Sequence, residues 1–142
     1  MFFQKNSVKV GADKLAENSF NVLKGKHVGV ITNHSAILSD GLHIADALNK
    51  NNNFKIMAFF GPEHGIRGDS PDGIKISHED DPKTKIKIYS LYGKINKPTP
   101  EMLDGVDALL YDIQDIGARF YTYISTLFLA MEAAAEDRKS VV

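Results

Sequence analysis

Cysteine is missing from this chain of 142 residues, which excludes a disulfide framework, a thiolate metal site and a cysteine nucleophile, and leaves the redox compartment unmarked. An excess of charge is missing too. Seventeen Lys and Arg against eighteen Asp and Glu give a formal charge of −1. The lysines are scattered and form no basic stripe, so no global field draws in nucleic acid or an anionic membrane. No run approaches the roughly 18 apolar residues of a membrane span. The start, Met1 to Asn6, lacks the apolar stretch of a secretion signal, although a removed leader leaves no trace. Nucleotide and nucleophile motifs are absent as well. The first apolar run leads into Thr32-Asn33-His34-Ser35 and not into a G-x-G-x-x-G turn, and there is neither a P-loop nor a G-x-S-x-G elbow. Five histidines fall in no H-E-x-x-H or comparable cluster, so neither a cofactor nor a metal is expected.

With 43% hydrophobic and 25% charged residues the composition is that of a globular domain with a real core. The spacing predicts a short helix from Gly11 to Phe20 with Asp13 as its cap, and a second helix over 41–50. His27 to Thr32, Phe54 to Phe60 and Asp107 to Ile113 are apolar runs of the kind expected of strands covered on both faces. Lys85 to Leu91 alternates and predicts an edge or half-exposed strand. Gly68 to Thr84, rich in Asp, Gly and Pro, reads as a long loop of the functional sort. Pro98-Thr99-Pro100 opens a further short helix, and from Arg119 to Glu136 the residues Phe120, Tyr123, Ile124, Leu127, Phe128, Met131 and Ala135 trace one helix face. Ser140 to Val142 reads as the opening of another buried strand. Strands alternating with helices imply parallel pairing through right-handed crossovers. The expectation is an α/β fold, a Rossmann-like three-layer αβα domain over residues 1–142 with a mostly parallel sheet, incomplete at its carboxyl end.

Two polar segments follow buried strands: Gly61-Pro62-Glu63-His64-Gly65-Ile66-Arg67-Gly68, and Asp112-Ile113-Gln114-Asp115-Ile116-Gly117-Ala118-Arg119-Phe120-Tyr121-Thr122-Tyr123. Open α/β sheets place their chemistry at such strand ends. Glu63, held in a tight turn just past a strand and partly desolvated, is the candidate to protonate a leaving group. Arg67 and Arg119 are candidates for bidentate bonds to a ligand carboxylate or phosphate. The structural alternative pairs them with Asp69, Asp112 or Asp115. Of Asp112 and Asp115, one faces a cleft while the other caps the next helix, which on this reading begins near Gly117 and Ala118 and points N–H groups at a bound anion. Gln114 offers an amide to a polyol. Asn33 and His34 end the first strand on the same edge of the sheet, and Tyr92, Tyr121 and Tyr123 offer hydroxyl or stacking contacts to a sugar.

Five ordered blocks add to this. Lys24 to Ser35, Phe60 to Gly68, Tyr89 to Gly93, Lys97 to Leu103 and Asp112 to Ile124 resemble the NamZ-type exo-β-N-acetylmuramidases. The resemblance spans nearly the whole chain. It implies a glycoside hydrolase that removes N-acetylmuramic acid from non-reducing ends of peptidoglycan fragments, with a Rossmann-like N-terminal domain, a second smaller domain absent here, and an active site in the cleft between them.

Combining the residues with the resemblance gives the expected roles. Glu63 is the general acid, oriented by His64, and Asp115 is the partner carboxylate from this chain. Glycosidases space the two groups by about 5 Å for retention and by about 6.5 to 9.5 Å for inversion. Muramic acid carries a lactyl carboxylate, for which Arg67 or Arg119 is the reader. Asn33, His34, Gln114 and Tyr121 complete the substrate contacts. The expected partners are muramyl saccharides from peptidoglycan, with no nucleic acid and no membrane span. The substrate favours a periplasmic or extracellular location, and the visible start favours the cytoplasm. Two other readings stay open: a noncatalytic cell-wall carbohydrate-binding domain, and a metal-assisted hydrolase using His64, Glu63 and Asp115, which lacks ligand spacing.

Overall fold

In the computed structural model, residues 8–68 and 79–142 are described. The elements run α1 (Gly11–Glu17), β1 (His27–Thr32), α2 (Ile44–Asn49), β2 (Lys55–Gly61), β3 (Glu79–Asp80), β4 (Lys87–Ser90), β5 (Ala108–Asp112), α3 (Tyr123–Glu136) and β6 (Ser140–Val141), with a short 3-10 turn at Asn21–Leu23. The sheet order is β3-β4-β2-β1-β5-β6, and every pairing is parallel except β3 with β4. From β1 the chain adds strands first on one side (β2, β4) and then on the other (β5, β6). The order therefore reverses between β1 and β5, and a crevice opens at such a reversal beyond the carboxyl ends of the strands.

Side-chain alternation builds two cores. Val28, Val30, Phe59, Ile88 and Leu110 point to one face, where Leu23, Ile44 and Leu48 cover them. Ile31, Ala58, Phe60 and Leu109 point to the other, against Met102, Leu103, Val106 and the alanines Ala130, Ala133 and Ala134 of α3. Burial on both faces explains why β1, β2 and β5 are nearly continuous apolar runs. The layered, mostly parallel α/β arrangement agrees with the expectation from sequence.

Several local expectations are corrected. Asp13 does not cap α1: Val10 is the N-cap, with no side-chain bond, and the buried Asp13 instead accepts the Ser39 N–H at 2.8 Å. Pro98 to Pro100 opens only a single turn, in which Leu103 N–H bonds Thr99 and Pro100, before Gly105 at φ 70° turns the chain into β5. Of the two alternatives for β4, the half-exposed strand holds and the edge does not, because the two-residue β3 pairs outside it. The long loop expected over 68–84 lies partly outside the described residues, at 69–78. The pair that closes the chain, Ser140–Val141, is a strand but an exposed one.

α3 departs furthest. It begins at Tyr123, not near Gly117, and most of the large residues of the apolar stripe face outward: Phe120, Ile124, Phe128 and Met131 are 85, 58, 66 and 52% exposed, while Tyr123 is buried. The face against the sheet is Tyr123, Thr126, Ala130, Ala133 and Ala134. Alanines let the helix approach Phe60 and Leu109 closely, so the small residues, and not the large ones, mark the buried side.

Candidate active site

The turn after β2 is built by close backbone approach. A Cβ on Gly61 would lie 3.1 Å from the Gly65 Cα and 3.3 Å from the Ile66 Cγ2, so glycine lets residues 62–66 fold back closely over the strand end where a side chain would push them outward by a few tenths of an ångström. Gly65 N–H bonds the Pro62 carbonyl at 3.0 Å, closing a four-residue turn whose third residue, His64, has φ 70°. A non-glycine residue in this left-handed region is uncommon, and such outliers gather at functional sites. The turn holds Glu63 and His64 half-buried at the rim.

Across from this turn, residues 113–122 run irregularly from β5 to α3. A hollow of about 320 Å³ lies between the two segments, lined by Glu63, His64, Phe120, Tyr121, Thr122 and Tyr123. The Tyr121 and Tyr123 rings meet edge to face at 5.1 Å. The Tyr111 hydroxyl donates to the Tyr123 carbonyl at 2.8 Å and ties the first turn of α3 to β5. Burial, with Asp115 next, pushes the Tyr111 phenol up to about 12, so it remains a donor.

The loop after β1 supports this hollow from below. Asn33 is fully buried, and its Oδ1 accepts both the Ser35 N–H at 3.0 Å and the Ser35 hydroxyl at 2.6 Å. Ser35 Oγ in turn accepts the Gln114 N–H at 3.0 Å, joining the ends of β1 and β5 across the reversal point. The Asn33 carbonyl is held by His43 Nε2 at 2.9 Å, while His43 Nδ1 accepts the Ala45 N–H and so caps α2. Burial lowers the His43 pKa, which suits a neutral ring that donates from one nitrogen and accepts at the other. His34 is exposed and lies against Gly68, 3.0 Å from where a Cβ on that glycine would stand.

The sequence candidates therefore divide. Glu63, His64 and Tyr121 share one hollow, with Asn33 behind it and His34 on the adjoining loop. Gln114 faces a different depression of about 500 Å³ on the α1 side, lined also by Ser35, Ile44 and Asp112. Burial raises the Asp112 pKa there. Asp115 does not line the Glu63 hollow: its Oδ1 accepts the Gly117 N–H at 2.6 Å and its Oδ2 is buried without a partner. Neither acid caps α3, whose N-cap Thr122 makes no side-chain bond either.

Arg67 is committed inward, so its expected role at a ligand carboxylate is corrected. Nε and Nη2 donate to Asp81 at 2.9 Å each, and Nη1 and Nη2 donate to Asp46 at 3.0 and 2.7 Å. The partners differ from the acids nearest in sequence, because the loop folds toward α2 and the β3–β4 turn. Bonds to Arg67 hold the Asp46 carboxyl below its usual range, and although burial alone would raise Asp81, Arg67 and the Thr84 donors bring it down to about 2. Arg119 is exposed and makes no ion pair among the described residues. Nor do three His, Asp or Glu side chains gather among the described residues as a metal site. Tyr123, offered from sequence as a sugar contact, also lines the hollow; sequence reasoning missed Phe120 and Thr122 there, and missed His43. The Tyr-x-Tyr spacing beside an aromatic was the available signal for the first group; nothing local marks His43.

A mostly parallel sheet covered on both faces, with polar turns meeting beyond its strand ends at an order reversal, defines an open α/β domain with a hollow at the carboxyl edge. The chain belongs to the family of N-terminal domains of the exo-β-N-acetylmuramidase NamZ, whose model matches residues 28–142. It is 48% identical over 134 residues to the peptidoglycan β-N-acetylmuramidase NamZ of Bacillus subtilis (strain 168), covering 94% of this chain and 32% of that protein. Among solved structures it is similar to a DUF1343 family protein of Bacteroides fragilis NCTC 9343, with TM-score 0.85 and 48% identity over 94% of this chain and 33% of that one. A second DUF1343 protein of the same organism gives TM-score 0.77 at 34% identity, covering 96% of this chain and 34% of that one. The chain thus spans about a third of the length of the relatives it matches.

Proposed function

We propose that this chain is the part of an exo-β-N-acetylmuramidase that carries the general acid and forms one wall of the cleft in which a muramyl residue leaves the non-reducing end of a peptidoglycan fragment. The observation that carries the reading is the shared hollow: Glu63 and His64, on the turn after β2, face the aromatic segment Phe120 to Tyr123. Glu63 gives its proton to the glycosidic oxygen as the bond to the anomeric carbon breaks, and water completes the hydrolysis. The rings of Phe120 and Tyr121 offer apolar faces to the sugar. Arg119, one residue before Phe120, exposed and without an ion pair among the described residues, is the reader of the lactyl carboxylate. Arg67 is set aside because Asp46 and Asp81 already take four of its N–H bonds. Asp115 is set aside as the second carboxyl group because it lies away from the hollow with Gly117 bound to it. That group is assigned to the two-thirds of the relatives' length this chain does not span. An outward apolar ridge, formed by Phe120 on the rim of the hollow and by Ile124, Phe128 and Met131 on α3, supports a one-walled site that a further domain covers.

The test is the full-length protein with paired chromogenic β-muramide and β-glucosaminide substrates. Release from the muramide, with the preference over the glucosaminide lost in Arg119→Met, is expected. Binding of the muramide without release refutes the reading and favours a carbohydrate-binding domain.

A further inference from the structure

The hollow contains a polar group with no role so far, the Tyr123 hydroxyl. Tyr123 is almost fully buried yet lines the hollow beside Glu63, with its ring against Tyr121 and its carbonyl fixed by Tyr111. Behind it, the Asn33 amide cannot be turned around. Its oxygen receives two bonds from Ser35, so its Nδ2 must point the other way, where it is buried with no hydrogen-bond partner of normal geometry. An unpartnered buried amide donor is rare in a folded protein and calls for an acceptor nearby. The Tyr123 phenol has Asn33 as its side-chain neighbour and lines the same hollow as Glu63. Burial raises that phenol above its ordinary value, so it keeps its proton at any pH where the enzyme would work.

A hydroxyl has one proton to donate and lone pairs with which to accept. If Asn33 Nδ2 donates to the phenol oxygen, the phenol proton is directed away from Asn33, which leaves it for an acceptor in the hollow that Tyr123 shares with Glu63. We infer that Tyr123 is a positioning residue for Glu63, with its hydroxyl aimed by the Ser35–Asn33 pair so that it donates to the carboxylate and fixes that group's orientation. The inference rests on Glu63 being the acid proposed above. A donor to the charged form of a carboxyl group favours that form, so loss of the hydroxyl is readable in a pH profile.

The experiment uses the full-length protein and a chromogenic β-muramide. Tyr123→Phe keeps the ring and removes only the hydroxyl. It is expected to lower kcat at least tenfold with KM changed less than about twofold, and to move the basic limb of the kcat/KM profile upward by half a pH unit or more. Asn33→Ala is expected to move the same limb in the same direction by less. A Tyr123→Phe profile that superimposes on wild type overturns the inference. A second readout needs no variant at Tyr123: with ¹³Cζ-labelled tyrosine, the Tyr123 signal should shift as Glu63 titrates in wild type and stay flat in Glu63→Gln, and a signal flat in both overturns it. If Glu63→Gln keeps full turnover, the proposed acid itself fails. If Glu63→Gln is inactive while Tyr123→Phe matches wild type, only the present inference fails.

Discussion

Replacing Arg67 by Met tests the arrangement that holds the Glu63 turn in place. Arg67 ends the turn segment and reaches Asp46 on α2 and Asp81 beside β3, so its removal unties three parts of the chain at once. The side chains of Arg67, Asp46 and Asp81 are 12, 17 and 0% exposed. Removing the cation leaves Asp81 sealed from water with only its Thr84 bonds, and breaking one side of such a buried pair costs about 3–5 kcal/mol. Against a total stability of roughly 5–15 kcal/mol this is a large loss, readable as a lower urea midpoint in far-UV circular dichroism. The pH dependence supplies a second check. Asp81 has a folded pKa depressed to about 2 from the ordinary 3.8, so its contribution is full above the unfolded pKa and is lost as pH falls through the folded one. That contribution is roughly 2 kcal/mol at 1.36 kcal/mol per pKa unit. The gap between wild type and Arg67→Met should therefore narrow by about that amount from pH 4 to pH 2. A gap under about 1 kcal/mol at neutral pH, or one that does not change down to pH 2, would refute the reasoning.

Other outcomes follow from the packing. Gly61→Ala puts a methyl group 3.1 Å from the Gly65 backbone, so the Glu63 turn must shift; turnover of the full-length protein should fall tenfold or more, since misplacing a catalytic group by about 1 Å costs about 10²-fold, and a variant with wild-type kcat would contradict this. The orientation of α3 is checked by a pair of substitutions in this chain. Phe128→Ser on the outward ridge should change its stability by less than about 0.5 kcal/mol, whereas Ala130→Leu against the sheet should cost about 1–3 kcal/mol, and urea unfolding that ranks them the other way would reverse the helix.

The layered sheet was legible because burial on both faces writes itself into β1, β2 and β5 as apolar runs, each ended by polar residues. The site was legible in part for the same reason: parallel strands bring their carboxyl ends to one edge, so Asn33, Glu63 and the segment after Asp112 had to gather there. What the runs do not encode is facing. Apolar periodicity located α3 but not which side it buries, because close helix–sheet contact selects alanine while Phe128 and Met131 stay outside. Arg67 shows the same gap among polar residues: its partners come from segments 21 residues before it and 14 after it in the chain, at distances no local pattern signals. Gln114 and Asp115 were placed on the right loop, yet the loop's path sends the first to the α1 side and ties the second to Gly117.

The central claim is that the carboxyl group on the turn after β2 supplies the proton. Turnover of a chromogenic muramide by full-length Glu63→Gln, beside wild type and with its fold checked by circular dichroism, tests this most directly. The account predicts a loss of about 10²-fold or more in kcat with the spectrum unchanged; a correctly folded variant that turns over at the wild-type rate would contradict it.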